Sequence, residues 1–110
     1  MAGYFQLKQS SSGQYMFNLK AGNHETILTS QLYSSKAAAE GGIEAVRKNA
    51  VTDTNFERKT ASDGSPYFVL NSAANGQTVG KSEMYKSAAA MENGIASVKA
   101  NASDAAVKEA

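Results

Sequence analysis

Few side chains in this chain are equipped for chemistry. His24 is the sole imidazole among 110 residues, and there is no cysteine. Thiolate nucleophiles, disulfides and zinc–sulfur sites are therefore excluded. A metal site needs several ligands, so a single histidine in a turn is read as solvated. Glu40 and Glu92 recur at equivalent positions, but an early helical Glu is accounted for by the helix dipole. Tyr33-Ser34-Ser35-Lys36 resembles a Tyr/Lys catalytic pair, yet it is one residue short of the Tyr-x-x-x-Lys spacing. Ala88 also stands where a second copy would repeat Lys36. No serine lies in a Gly-x-Ser-x-Gly elbow, and Gly41-Gly42 lacks the pattern of a phosphate cradle. No catalytic residue, cofactor or metal ligand is assigned, and the expectation is a protein that is not an enzyme. Were it one, recurrent polar residues where the two copies meet would be the ones to test: Tyr33, Ser30, Tyr85 and Ser82.

Binding is the better-supported class. Two short segments in each copy alternate apolar and polar residues, as half-buried strands do. Their polar parity carries Lys8, Met16, Asn18 and Lys20 in the first copy and Lys59, Tyr67 and Val69 in the second. A sheet covered by helices on one face would present these seven to solvent or to a partner. Aromatic rings and lysines on an open sheet suit single-stranded nucleic acid, since bases stack on rings and cations meet phosphates. Glu57 and Glu83 dilute that charge, and the formal net charge is only +1. A protein or peptide partner is therefore favoured over nucleic acid. An unpaired sheet edge offers another route, by strand addition or homodimer formation. Thr29, Gln31, Lys81 and Glu83 are then read as candidates for edge protection.

The elements that must position these residues come from an internal duplication. Phe5, Phe17 and Leu19 match Phe56, Phe68 and Leu70 at an offset of about 51 residues. After one inserted residue near Ser72, 14 of 30 aligned residues are identical, among them Tyr33/Tyr85, Glu40/Glu92, Gly42/Gly94 and Asn49/Asn101. In each copy a first strand leads through Ser-Gly turn chemistry to a second. Asn23-His24 and Asn75-Gly76 mark the following turn. The third strand spans Thr26 to Tyr33, matched by Thr78 to Tyr85; Leu28 and Leu32 favour one parity, Ile27 and Tyr33 the other, which predicts a bulge or burial on both sides. A helix closes each copy. Ser35 and Ser87 are its N-caps, Ala39, Gly42, Ile43 and Val46 its apolar stripe, and Asn49 and Asn101 its left-handed C-caps. A glycine in mid-helix costs about 1 kcal/mol against alanine, so its recurrence implies a close approach of helix to sheet.

Gly22-Asn23, Glu25-Thr26-Ile27-Leu28-Thr29-Ser30, Leu32-Tyr33, Ser35-Lys36, Glu40 and Gly42-Ile43 resemble the first copy of the bacterial YegP family. Lys59-Thr60-Ala61-Ser62, Tyr67-Phe68 and Gly94-Ile95-Ala96-Ser97-Val98-Lys99-Ala100-Asn101 resemble its second copy. The resemblance spans roughly residues 2 to 102. It implies a β-β-β-α repeat whose two copies build one antiparallel sheet with both helices on one side, as a fused pseudo-dimer. It implies no catalytic residue, cofactor or substrate.

The expected fold is thus α+β: two tandem β-β-β-α repeats forming one antiparallel sheet of about six strands, with two helices on one face. Ala supplies 19 of the apolar residues, which leaves too few large side chains for two separate cores. Residues 1–102 are accordingly read as one compact domain, with repeat one at 3–50 and repeat two at 54–102. Residues 103–110 are read as a disordered tail. The chain shows no secretory signal and no apolar run of membrane-spanning length, so the expected location is cytoplasmic. The expected state is a monomeric pseudo-dimer or a weak homodimer. The expected role is a non-catalytic binding module of unknown partner.

Overall fold

The computed structural model describes residues 3–22, 24–74, 76–103 and 105–109. In the first repeat, β1 (Tyr4–Gln9), β2 (Tyr15–Lys20) and β3 (Thr26–Thr29) precede α1 (Lys36–Asn49). A short 3-10 turn, Asp53–Asn55, leads into β4 (Phe56–Thr60), β5 (Pro66–Asn71), β6 (Thr78–Lys81) and α2 (Ala88–Ala102). The chain then adds a strand, β7 (Ala106–Glu109). The tail expected to be disordered is therefore part of the sheet. β7 runs parallel to β1 in the register Tyr4↔Ala106 to Leu7↔Glu109. The sheet has seven strands and is mixed, in the order β4-β5-β6-β3-β2-β1-β7. An all-antiparallel sheet of about six strands is corrected on both counts.

The hairpins form where the turn chemistry requires them. Gly13 and Gly64 take φ of 86° and 88°, a conformation in which a Cβ is strained. His24 and Gly76, counterparts in the next turn, lie at φ 71° and 72°; Asn23 and Asn75, the other residues read as marking those turns, fall outside the described residues. The third strands are shorter than expected. After Thr29 the chain leaves the sheet, and Tyr33 rejoins it only as an isolated bridge to Tyr15. A bulge between Leu19 and Lys20 lets Ile27 and Leu28 both be buried, at 6% and 1% exposure. The mixed parity of that segment has this cause.

Phe5, Phe17, Leu19, Leu28, Phe68 and Leu70 form one core with Ile43 and Val46 of α1 and Ile95 and Val98 of α2. The helices cross between repeats: α1 packs on β2 and also on β5 and β6, while α2 packs on β5 and on β3. Strands β3 and β6 meet in a single register pair, Thr29↔Lys81. At this seam the two halves are thus joined less by sheet hydrogen bonds than by the shared core.

Ser35 and Ser87 cap their helices, each hydroxyl accepting from the N–H three residues on. Asn49 and Asn101 are not left-handed caps. Both are helical, and the caps are Ala50 and Ser103 in right-handed conformation. The two asparagines act as clamps instead. Asn49 Nδ2 donates to the Ala45 carbonyl while its Oδ1 accepts from Ala73 N–H at 2.9 Å, across the repeat boundary. Asn101 Nδ2 donates to Ser97 and its Oδ1 accepts from Gly3 N–H at 2.9 Å.

Candidate binding face

Pairing registers place Tyr4, Gln6, Lys8, Met16, Asn18 and Lys20 on the sheet face opposite the core. Glu57, Lys59, Tyr67, Val69 and Asn71 share that face in the second repeat, with Lys81 beside Val69. All seven residues predicted for the surface therefore fall on the uncovered face. Two of them are not accessible there. Asn18 is 6% exposed and donates to Thr29 Oγ1 at 2.9 Å, and Val69, between Glu57 and Lys81, is also 6% exposed.

The structure adds residues that the sequence reading did not place on this face. Lys108 of β7 lies with its Nζ 4.7 Å from the Tyr4 ring centroid, and Lys81 lies 5.0 Å from that of Tyr67. His24 meets Tyr4 edge-on and is 3.1 Å from its hydroxyl through Nδ1. Tyr4 shares its parity with Lys8, and that alternation could have found it. Lys108 carries no local signal, because its place depends on β7 pairing with β1. Five lysines, at positions 8, 20, 59, 81 and 108, share this face. Among its described strand residues, Glu57 is the one carboxylate.

Lys81 was expected to guard an edge, together with Thr29, Gln31 and Glu83. Thr29 and Lys81 lie instead at the middle of the sheet, on its central strands β3 and β6, and Gln31 and Glu83 follow just past the ends of those strands. They line an open groove of about 380 Å³ at the seam. Its walls are counterparts from the two repeats: Thr26 and Thr78, Thr29 and Lys81, Gln31 and Glu83. The actual edges are β4 and β7.

The polar residues singled out for possible catalysis serve the backbone. Ser30 Oγ accepts from Phe17 N–H at 2.9 Å and donates to the Gln31 carbonyl at 2.7 Å. Ser82 repeats this with Phe68 and Glu83. Tyr33 and Tyr85 stack on Phe17 and Phe68. A Cβ at Gly42 or Gly94 would overlap their hydroxyls, so the mid-helix glycines make room for these tyrosines. Among the described residues the buried Tyr85 hydroxyl finds no hydrogen-bond partner, and burial, then the nearby Glu83 and Glu25, push its pKa up. Glu40 and Glu92 lie past the first turns of their helices, where the dipole has faded; Glu92 is instead bound by Arg58 through two nitrogens at 2.7 and 2.9 Å. Among the described residues no three carboxylate, imidazole or thiol side chains gather where they could hold a metal ion. None of their helices is long and apolar enough to cross a membrane.

A helix-backed sheet with an uncovered lysine- and tyrosine-bearing face, built from two copies of one unit, defines a duplicated α+β domain protein. Residues 10–57 and 61–109 each match the domain of unknown function DUF1508, and the chain belongs to that family. The second match includes β7, so the last strand lies within the family unit. The chain is 61% identical over 109 residues to a UPF0339 protein of Bordetella pertussis, covering 99% of this chain and 96% of that one. It is 55% identical to the UPF0339 protein YegP of Escherichia coli K12, covering 99% and 98%. The solution structure of Escherichia coli yegP, a protein of unknown function, superimposes with a TM-score of 0.93, covering 99% of this chain and 93% of that one. A UPF0339 protein from Shewanella oneidensis superimposes at 0.92 with 44% identity, covering 99% and 92%. The resemblance read from the residues is thereby a family relationship.

Proposed function

We propose that this chain is a non-catalytic binding protein whose ligand surface is the uncovered sheet face, and that the ligand is a single-stranded nucleic acid. The observation that carries this reading is the charge partition: five lysines against one strand carboxylate, two of those lysines set over tyrosine rings. The near-neutral total charge, which favours a protein partner at the level of composition, averages over two unlike faces. Phosphates would meet the lysines and bases would stack on Tyr4 and Tyr67.

Uptake of a peptide at a sheet edge has less support. The outer edge of β1 is filled by β7, itself a short edge strand bearing Lys108 and Glu109, and β4 lines its free edge with Glu57, Arg58 and Lys59, both patterns that resist strand addition. The engagement of Ser30 and Ser82 by backbone groups supports the non-catalytic part of the reading. The helix exchange across a one-pair seam supports a fused pseudo-dimer. A cytoplasmic, monomeric protein is part of the same proposal.

Fluorescence anisotropy with labelled homopolymeric oligonucleotides tests the reading. Binding should weaken steeply with salt, by about 0.7 log units per log unit for each phosphate contact. The Lys8→Glu, Lys20→Glu, Lys59→Glu triple variant should lower both affinity and that slope. Affinity unchanged by the triple variant rejects this surface.

A further inference from the structure

We infer that the seam groove is a subsite for one nucleobase, with Glu83 as its selecting group and a preference for guanine. This rests on the nucleic-acid reading above and adds a specific contact to it. The groove opens beside Thr29↔Lys81, the one register pair between β3 and β6. Its two walls are not alike. The first-repeat wall offers Thr29 and Gln31, both uncharged, while the second-repeat wall offers Lys81 and Glu83 at the same positions. Both charged residues are exposed. Among the described residues neither enters an ion pair, and Lys81 rests on the Tyr67 ring. A cation and an anion lining one groove and left unpaired match a ligand that carries an anion and a set of donors together.

A nucleotide in a strand has that composition. Its phosphate would meet Lys81, at the point where Tyr67 offers a ring for the neighbouring base. Its base would enter the groove and face Glu83. An ionised carboxylate accepts hydrogen bonds and donates none. Guanine presents N1–H and N2–H side by side and so satisfies both carboxylate oxygens. Cytosine and adenine each present one amino group next to an acceptor. Uracil flanks its single N–H with two carbonyls, which the carboxylate repels. The hydroxyls of Thr26 and Thr78 supply adaptable donors and acceptors at the groove wall.

The test titrates GMP, CMP, AMP and UMP into the ¹⁵N-labelled full chain, alongside anisotropy with oligo(G-containing) and oligo(U) strands. The expected result is shifts at Thr29, Gly80, Lys81 and Glu83, saturating at about tenfold lower concentration for GMP than for UMP. Glu83→Gln should erase that preference with little change in UMP binding, and Lys81→Met should weaken all four alike. Oligonucleotide binding without base preference and without groove shifts overturns the subsite and leaves the face reading standing. Groove shifts with GMP but no oligonucleotide binding support the subsite and overturn the face reading. Neither response overturns both.

Discussion

The first strands of the two repeats, β1 and β4, occupy equivalent places in their repeats and are finished in different ways. β1 carries Leu7, 2% exposed, and its outer edge is covered by β7. That cover is tied down where Arg47 donates to the Ala105 carbonyl at 2.7 Å, with its guanidinium also over the Phe5 ring, and where Lys36 pairs with Glu109. β4 has no covering strand. At the position of Leu7 it carries Arg58, which reaches Glu92 on α2 and Asp53 ahead of the strand, while Lys99 joins Asp53 at 2.6 Å. Both solutions address one problem, the row of unpaired backbone groups on an edge strand. One copy is covered by the last strand of the second family unit, the other is guarded by a charge cluster. Inside the sheet the copies remain alike: Phe5/Phe17 and Phe56/Phe68 make the same edge-to-face pairs. Duplicated sequence has thus stayed fixed where two helices and two tyrosines must interlock and has diverged where each copy meets solvent.

The largest expected effects test that interior equivalence. Gly42→Ala and Gly94→Ala each drive a methyl into a tyrosine hydroxyl and ring. Each should destabilise by about 1–3 kcal/mol despite the gain in helix propensity. Gly41→Ala is the internal control, since its Cβ would meet nothing within 4 Å; it should stabilise by up to about 1 kcal/mol. Urea unfolding of the three variants decides the matter. Equal gains at all three positions would mean that the tyrosines do not hold the helices to the sheet.

The two asparagine clamps sharpen the comparison. Asn49 is 5% exposed and serves Ala45, Ala73 and Asn55, whereas Asn101 is only half-buried. Asn49→Ala should cost about 2 kcal/mol by removing a buried amide and its bonds to three partners, and Asn101→Ala about 1 kcal/mol. Thermal melts that rank them in the opposite order would put the stronger cross-repeat tie at the N-terminus.

How far the fold was legible follows from where each signal resides. Strands β1, β2 and β5, the helices and their serine caps declare themselves through local periodicity and local hydrogen bonds. The shared parity of the seven predicted surface residues, opposite to the core, has the same origin. β7 did not declare itself, because Ala106-Val107-Lys108-Glu109 holds one large apolar residue and is ordered by an edge about 100 positions earlier in the chain. The asparagine caps were misread because an Asn at a helix end has two uses, a left-handed backbone or a side-chain clamp, and the partner that decides is distant. The groove at the seam was invisible for a related reason: that β3 and β6 are neighbours is a property of strand order, which no local pattern encodes. Lys81 and Glu83 therefore looked like edge guards.

Edge treatment predicts smaller effects, read as self-association rather than as stability. Ending the chain at Ser103 uncovers β1, an edge with no charge cluster of its own, and should produce concentration-dependent dimers or larger species by sedimentation. Arg58→Leu makes β4 resemble β1 without supplying a cover and should do the same to a lesser degree, since Glu57 and Lys59 remain. If both variants stay monomeric at millimolar concentration, neither the covering strand nor the charge cluster is what keeps the edges apart.

The smallest effect expected is a pH dependence confined to the second repeat. The Asp53 carboxyl is held below its ordinary range by hydrogen bonds from Lys99 and then Arg58, and that of Glu92 by Arg58. A carboxyl whose folded pKa lies below its unfolded value adds stability above the unfolded value, and that stability is lost as pH falls through the folded one. The cluster should therefore weaken below about pH 4, the ordinary carboxylate range. All its members are largely exposed, so solvent and salt hold the contribution to a small one. Leu7 stands where the first repeat would need Arg58, so that repeat has no matching cluster. Residue-resolved amide exchange on acidification should then show β4 losing protection before β1, and 0.5 M salt should narrow the gap by screening the cluster. Equal loss in both strands would mean that Arg58 is a surface charge with no part in closing the β4 edge.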